Sequence, residues 1–529
     1  MKTPRVLFIC HNHPSFHPGG TEIFAHDLFH AMKRDYGVDA MFLGCADRLH
    51  RDRRPGTLFQ TVGRSADEMV MWSGHFDRFN LSQTDLHAMV PEFGDFLRVY
   101  KPDVVHFHHV LMVGVEAIFL VRRILPRARI VMTLHDYFPI CAHEGQMVTT
   151  RDMALCERAT PDGCHRCFPK IELDKFVLRR GQIQAMFGLV DQFFAPSEFL
   201  RRRYIDWGLP GHKIRVVRNA RPEAAPAPVR PLAAEGRRDA FGFFGNVNPF
   251  KGVLVALEAA QRLVRQGDSA FTLSVHGGMP FQTAEFRDKV ETLARKSAGT
   301  VALRGAYGLA ELRSLIGAVD WVIVPSVWWE NSPLVIQEAF AHGRPVICSD
   351  IGGMAEKVQD GVNGLHFRAG SAEALVDKLS LALGTPGLWE RLRANAIEAA
   401  EQCERLGVPI VDEATTLERA IGAWPRDRRL YVCAERRGAE PAAAAFARHA
   451  AGAPAGAPAG TSAGAPAGIL VGPEGGFEPS ELDALVKLPF VGAVSLGPLV
   501  LRADTAALAA LAVWQAVAGD WRDGANRAP

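Results

Sequence analysis

Nowhere in the 529 residues does an apolar run reach the roughly 18 needed for a membrane-spanning helix, so no stretch reads as one. An excess of one charge sign is missing too. Lys and Arg number 60 against 58 Asp and Glu, a net +2 that argues neither for nor against nucleic acid as a global partner. Cysteine is sparse, with nine residues, most of them scattered. The start, Met1-Lys-Thr-Pro-Arg-Val-Leu-Phe-Ile-Cys10, carries charge but an apolar run of only five residues. That is short for a secretory signal, and a first buried strand explains it better. Scattered cysteines without an export signal lead us to expect reduced thiols and a cytoplasmic protein. Hydrophobic content of 48% and charged content of 22% are ordinary for a soluble globular chain. The length suggests about three domains at roughly 150 residues each.

What is present is alternation. Over the first 220 residues, apolar runs at 6–9, 40–43, 104–107, 130–134 and 192–195 alternate with amphipathic stretches such as 21–33, which predicts a parallel sheet covered by helices. A Pro- and Ala-rich stretch at 221–238 reads as a linker. The pattern resumes over 239–394, with strands expected at 240–244, 272–276, 301–304, 321–324 and 345–348 and a helix at 253–266. Two such α/β domains about a hinge would hold a ligand in the crevice at the carboxyl ends of their strands. From 395 to 529 the character changes, and 437–468, with Gly-Ala-Pro-Ala-Gly repeated, reads as a low-complexity, disordered insertion.

The densest chemistry lies in Trp329-Glu-Asn-Ser-Pro-Leu-Val-Ile-Gln-Glu-Ala-Phe-Ala-His-Gly-Arg-Pro-Val-Ile347. If 333–342 is helical, Pro333 suits its first turn, Glu330 stands in the preceding loop and Glu338 falls in the second turn. Both carboxylates can then face a ligand at the helix N-terminus, where free N–H groups and the dipole favour phosphate. Carboxylates suit sugar and ribose hydroxyls, and the combination calls for a nucleotide-sugar. Two solvated glutamates beside a core helix are the plain alternative. The flanks, Val322-Ile-Val-Pro-Ser326 and Ile347-Cys-Ser-Asp-Ile-Gly-Gly353, decide between them. The whole stretch resembles the donor-binding signature of glycosyltransferase family 4, a retaining family with two Rossmann-like domains (the GT-B fold).

That resemblance implies transfer of a sugar, of the hexosyl type, from a nucleoside diphosphate to an acceptor hydroxyl of a glycan or lipid-linked glycan, with retention. Glu338 would hold the ribose, Glu330 the donor-sugar hydroxyls, and Ser332 and Leu334 would line the donor site. Gly245-Asn-Val-Asn-Pro-Phe-Lys-Gly252 follows a strand and opens a helix, so Lys251 can neutralise a diphosphate that Gly245 lets approach. Relatives often carry Gly-Arg at this loop's start. Here Asn246 stands there, so one of two expected cations is absent. Pro18-Gly-Gly-Thr-Glu22 places Gly19 and Gly20 at the loop bordering donor and acceptor, with Thr21 as a helix cap. In Thr133-Leu-His-Asp-Tyr137, His135 matches the family's active-site histidine. His106, His108 and His109 crowd a strand end and are expected on the acceptor side or in packing. No catalytic metal is required, since Lys251 and helix termini can offset the diphosphate charge. In the family's front-face route the leaving phosphate takes the acceptor proton, so no side chain is singled out as nucleophile.

Cys141, Cys156, Cys164 and Cys167 form the single cysteine cluster. Its Cys-x2-Cys end is a usual zinc half-site, so structural zinc and free thiols both stand as readings. Arg201-Arg-Arg-Tyr-Ile-Asp-Trp207 and Phe176-Val-Leu-Arg-Arg180 mix basic and apolar residues. An ordinary solvated helix face accounts for them; peripheral contact with anionic lipid at the inner face of the membrane is the alternative.

At the C-terminus, Ile469-Leu-Val-Gly-Pro-Glu-Gly-Gly476 and Ser495-Leu-Gly-Pro-Leu-Val-Leu-Arg-Ala-Asp-Thr-Ala506 resemble the knotted (SPOUT) methyltransferases that modify uridine N3 in 16S ribosomal RNA. The likeness starts near residue 393, with 396–409 fitting that family's mid-domain helix. It implies a partial α/β knot, a capacity to dimerise, and S-adenosylmethionine loops built from Gly472, Glu474, Gly475, Gly476, Leu496, Gly497, Leu501 and Arg502. The family's RNA-binding barrel is missing, Leu499 replaces an arginine and Asp504 a glutamate, which argues against rRNA as a partner. The glycosyltransferase half lacks an evident last helix crossing back to its first domain. The expected architecture is therefore α/β throughout: two Rossmann-like domains and a partial knot. Its expected activity is glycosyl transfer, with S-adenosylmethionine-dependent RNA methylation or an inactive fusion as rivals.

Overall fold

Nearly every apolar run expected to be a strand is one. The computed structural model describes all residues except 1–2, 18, 64, 220–225, 233–235, 281, 298, 405–414, 427, 435–438, 452–466, 474–475, 498–500 and 519–529. It separates into two units, 1–408 and 409–529.

In the first lobe of the larger unit the elements run β1 (Arg5–Ile9), α1 (Gly20–Tyr36), β2 (Asp39–Ala46), β3 (Phe59–Thr61), β4 (Glu68–Trp72), β5 (Val104–Phe107), β6 (Arg129–Thr133), α2 (Leu173–Phe187), β7 (Gln192–Ala195), α3 (Glu198–Trp207) and β8 (Ile214–Val216). The eight strands lie in the order β8-β7-β6-β5-β1-β2-β4-β3, and only the β3–β4 pairing is antiparallel. Central strands are buried on both faces, so Leu7, Ile9, Val105, Phe107 and Ile130 all lie in one core. Chain order reverses at β1, which pairs with β2 on one side and β5 on the other, and so opens a crevice at the strands' carboxyl ends.

The second lobe repeats the plan. It comprises β9 (Ala240–Phe244), α4 (Val253–Arg265), β10 (Thr272–His276), β11 (Val301–Gly305), β12 (Trp321–Val324), α5 (Leu334–Ala341), β13 (Val346–Ser349), α6 (Gly352–Lys357), β14 (Gly364–Phe367), α7 (Ala372–Gly384) and α8 (Leu388–Glu404). Its parallel sheet has the order β11-β10-β9-β12-β13-β14, with the reversal at β9. The expected linker is partly ordered against this lobe. Ala227 is buried, and the Arg230 guanidinium donates to Asp320 at 2.9 Å.

Two boundaries need correction. The first is at 394, which α8 runs through while packing on the donor lobe. Leu388, Trp389, Leu392, Ala396 and Ala400 recur at helical spacing and are all buried. Ala396 and Ala400 share a core with Ile336, Ala339 and Phe340 of α5. Of the stretch 396–409, expected as a methyltransferase-family helix, 396–404 is helical with Ala396 and Ala400 packed on the donor lobe, and 405–409 lie outside the described residues. The second correction lies in the expected insertion 437–468. The described part of it forms β16 (Glu440–Pro441) and α9 (Ala442–Ala451), because alanine is the best helix former and Phe446 anchors the turn in a core.

The smaller unit continues with β17 (Ala467–Leu470), α10 (Pro479–Val486), β18 (Val491–Ser495) and α11 (Ala503–Val517), and β15 (Arg429–Cys433) precedes them all. Its four parallel strands lie in the order β16-β18-β15-β17.

Candidate functional site

Adjacent parallel strands bring their ends to one place. His106 on β5 is in register with Phe8 of β1 and Val131 of β6, so the residues following these strands gather at the crevice. His106 and His108, two apart, share a face, with ring centres 4.1 Å apart. His108 Nδ1 lies 3.1 Å from Nε2 of His135, the expected site histidine. Burial pushes His135 and His106 down to about 3, so both rings are neutral at neutral pH. His109 accepts from the Leu111 N–H through Nδ1 and therefore donates from Nε2 to Asp136 Oδ2 at 2.8 Å. Burial would raise Asp136, but its interaction with His109 outweighs it and brings its carboxyl to about 2.

Sequence reasoning missed the pair behind the glycine loop. His11 Nε2 lies 2.9 Å from Glu22 Oε1, an ion pair without hydrogen-bond angles, and the Glu22 side chain is 2% exposed. Burial alone would lower His11, yet the Glu22 charge holds it well above its usual value. Gly19 makes room for this carboxylate, since a Cβ there would stand 2.5 Å from Glu22 Oε2. The residue types were visible in the sequence, but nothing in their spacing paired a strand end with the first turn of a helix.

Gly20 meets the second lobe, where its absent Cβ would lie 3.6 Å from Leu334 at the start of α5. Asn331 Nδ2 donates to the His135 carbonyl at 2.6 Å, a second link between the lobes. Pro333 stands as the N-cap of α5 with ψ 122°, one position outside the helix instead of in its first turn. The loop before it is tightly set. The Gly353 N–H donates to the Glu330 carbonyl at 2.7 Å, and a Cβ on Gly353 would stand 1.8 Å from the Asn331 carbonyl oxygen.

Glu330 is buried, and its Oε1 accepts from Lys251 Nζ at 2.6 Å, Ser326 Oγ at 2.8 Å and Trp328 Nε1 at 2.9 Å. Lys251 closes a short 3-10 turn, and Gly252 follows it at φ 70°, packed so close that a Cβ would meet the Pro325 carbonyl at 1.8 Å. Gly245 has φ 132°, and Asn246 is exposed at the mouth of the same loop. Ser332 is buried and Glu338 half-buried on α5. Burial and then the Glu338 charge push the Tyr307 hydroxyl up to about 12. In the larger unit the structure thus joins Lys251 to Glu330, Gly20 to Leu334 and, through Asn331, the loop 326–331 to His135, and adds Ser326, Trp328 and Asn331.

The four cysteines converge without forming a tight set. Burial, then Cys141, Cys156 and Cys167, push the Cys164 thiol up to about 12. Among the described residues, the one group of three or more ligand atoms within 4.8 Å of one another is His13, His26 and Glu68. In the smaller unit Gly472 follows β17, while Leu496 and Gly497 follow β18, so both glycine loops leave strands that flank β15. Gly476 and Gly497 have φ 72° and 127°. Leu501 is half-buried and Arg502 caps α11, whereas Glu474 and Gly475 lie outside the described residues.

Comparison with known proteins agrees with this division. The family model described as Glycosyltransferase Family 4 matches residues 18–222, and Glycosyl transferases group 1 matches 238–384. An RNA methyltransferase domain model matches 388–515, so its first residues are those that α8 packs on the donor lobe. Lipopolysaccharide 1,2-N-acetylglucosaminetransferase of Salmonella typhimurium is 31% identical over 147 residues, 27% of this chain and 38% of that protein. The chain therefore spans about two fifths of the length of that curated relative. Among solved structures, sucrose-phosphate synthase from Thermosynechococcus elongatus aligns with TM-score 0.55 and 17% identity over 76% of this chain and 95% of that one. Anabaena HepE in complex with UDP aligns with TM-score 0.52 and 17% identity over 75% and 95%. At these identities the likeness is one of fold, two Rossmann-like sheets in the GT-B manner. The chain carries a family 4-type glycosyltransferase domain and, separate from it, a C-terminal methyltransferase-like domain.

Proposed function

We propose that the larger unit is a retaining glycosyltransferase that moves a sugar, of the hexosyl type, from a nucleoside diphosphate to an acceptor hydroxyl. The observation that carries this reading is the loop 326–331. It sets a buried carboxylate, Glu330, against Lys251 and reaches across the crevice to His135 through Asn331. A diphosphate arriving at Lys251 competes with Glu330 for the ammonium. Glu330 keeps Ser326 and Trp328 as donors and is free to turn toward donor-sugar hydroxyls. Glu338, beside Tyr307, takes the ribose. His135, neutral because it is buried, orients the sugar without adding a positive charge. Catalysis needs no metal in this scheme; the Lys251 ammonium stabilises the leaving diphosphate, whose oxygen takes the acceptor proton.

The relatives named above act on or bind such compounds: one is an N-acetylglucosaminetransferase by name, and another was solved with UDP. The acceptor is a glycan or a lipid-linked glycan. Its membrane side would be the face of α2, where Val177 and Leu178 are 50% and 61% exposed among basic residues. No described helix is long and apolar enough to cross a membrane. Peripheral contact at the inner leaflet of a cytoplasmic protein is the arrangement we infer. The smaller unit is read as a knotted, dimer-forming remnant whose glycine loops hold S-adenosylmethionine, the match to an RNA methyltransferase domain being what favours this. Structural zinc at Cys141, Cys156, Cys164 and Cys167 belongs to the same set of proposals.

Thermal unfolding with UDP, GDP, ADP and S-adenosylmethionine added separately tests both halves. A ligand at about 100 times its dissociation constant stabilises by about 2.7 kcal/mol. One nucleotide alone should raise the unfolding temperature and so identify the donor base. A response to none of the three nucleotides would defeat the glycosyltransferase reading.

A further inference from the structure

One cluster plays no part in donor chemistry. His13 follows β1, His26 and His30 stand one turn apart on α1, and Glu68 opens β4. Glu68 Oε2 lies 2.9 Å from His13 Nε2 and 2.8 Å from His26 Nε2, and His30 Nε2 is 3.2 Å from His26 Nε2. We propose that His13, His26 and Glu68 bind a divalent transition-metal ion of the zinc class, with His30 beside the open coordination position.

Two imidazoles and a carboxylate are a zinc donor set that leaves a fourth place for water or another ligand. The spacing suits it. Metal–nitrogen bonds of about 2.0–2.1 Å in a tetrahedron place neighbouring ligand atoms about 3.3 Å apart, so a small outward movement of these side chains admits an ion. Proton counting points the same way. His26 Nε2 carries either one proton or one lone pair. If its N–H serves Glu68, His30 meets that proton only through a forked bond; if its lone pair serves His30, Glu68 loses a donor. A cation lets every nitrogen present a lone pair at once.

The groups around the site are Phe16 and Phe42, with ring centres 5.9 and 5.5 Å from His13, and Phe29, 6.0 Å from His26. Glu68 and His26 retain 16% and 22% side-chain exposure, which gives an ion a way in. One contact must be given up. The Ser15 N–H lies 3.2 Å from His13 Nδ1, which would carry the proton once Nε2 is bound to metal.

The test uses the full chain, stripped with a chelator and titrated with zinc and with cobalt(II), with bound metal counted by elemental analysis. Wild type should bind one equivalent that His26→Gln binds at least about 100-fold more weakly, more than the loss of an outer partner costs. Cobalt at this site should give visible bands of a nitrogen- and oxygen-ligated ion. Cobalt held by the four cysteines gives thiolate charge-transfer bands and survives in His26→Gln, which separates the two sites. Circular dichroism establishes that the variant is folded; should it not be, Glu68→Gln takes its place. Equal metal content in wild type and variant, or a wild type that binds no ion outside the cysteines, would overturn the proposal and leave the cluster as a hydrogen-bonded brace.

Discussion

Glu330 gathers three donors on one oxygen, while eight residues on, Glu338 has the company of Tyr307. The two carboxylates therefore differ in what their loss does. Glu338→Ala removes hydrogen bonds from a ligand and leaves the fold's own network at Glu330 intact. Isothermal titration should show donor nucleotide binding weakened by roughly 1.5–3 kcal/mol, the usual cost for bonds to a charged group. Unchanged affinity would remove Glu338 from the ribose site. These residues were legible in the sequence because a dense motif marked them. His11 and Glu22 were not, since a charge pair between a strand end and a helix depends on register and on the empty space at Gly19.

The Gly-Arg-Pro element, Gly343–Pro345, leads into β13. In the fold Arg344 is fully buried and donates to the carbonyls of Val319 at 2.7 Å, Gly317 at 3.0 Å and Ile316 at 3.2 Å, and to Pro228 of the interlobe segment at 2.7 Å. It ties one helix end and the linker to the donor sheet with five donors in one plane, a task lysine could not perform. Burial, with Arg393 opposing as well, lowers it to about 10, so it remains charged at neutral pH. Arg344→Met leaves several dry carbonyls without donors, each worth about 1–3 kcal/mol, so stability should fall by at least about 3 kcal/mol. Urea denaturation checks this, and a midpoint within error of wild type would show that water replaces the guanidinium. The strands flanking this element were expected almost to the residue, because buried parallel strands are continuous apolar runs. The edge strand β3 was missed, being three residues long and partly polar, and so was β4 beside it.

At the scale of the whole molecule, the buried imidazoles make stability depend on acidity. His106 and His135 sit at about 3 in the fold because of burial, against 6.5 when unfolded. Between those values the unfolded chain binds more protons, so stability falls as pH drops below about 6.5, at up to about 1.4 kcal/mol per pH unit for each ring. His11, shifted the other way, adds stability as pH falls toward 6.5 and no slope well below it, where it is protonated in both states. Asp136 joins only below its unfolded value of 3.8. Unfolding midpoints from pH 7 to 4.5 should therefore decline, and a flat profile would mean that these rings are hydrated. The two-lobed plan was readable from alternation alone, but the place where it ends was not, since a helix of Ala and Leu fits either neighbour until its partner is seen. That helix, α8, has a practical meaning for dissecting the protein. A cut at 394 would strip Ala396 and Ala400 from Ile336, Ala339 and Phe340 of α5, the helix that carries Glu338, and so loosen the proposed ribose-binding residue from behind. Separation between 405 and 408 spares that backing, so the larger unit is divisible from its neighbour only beyond the splint they both claim.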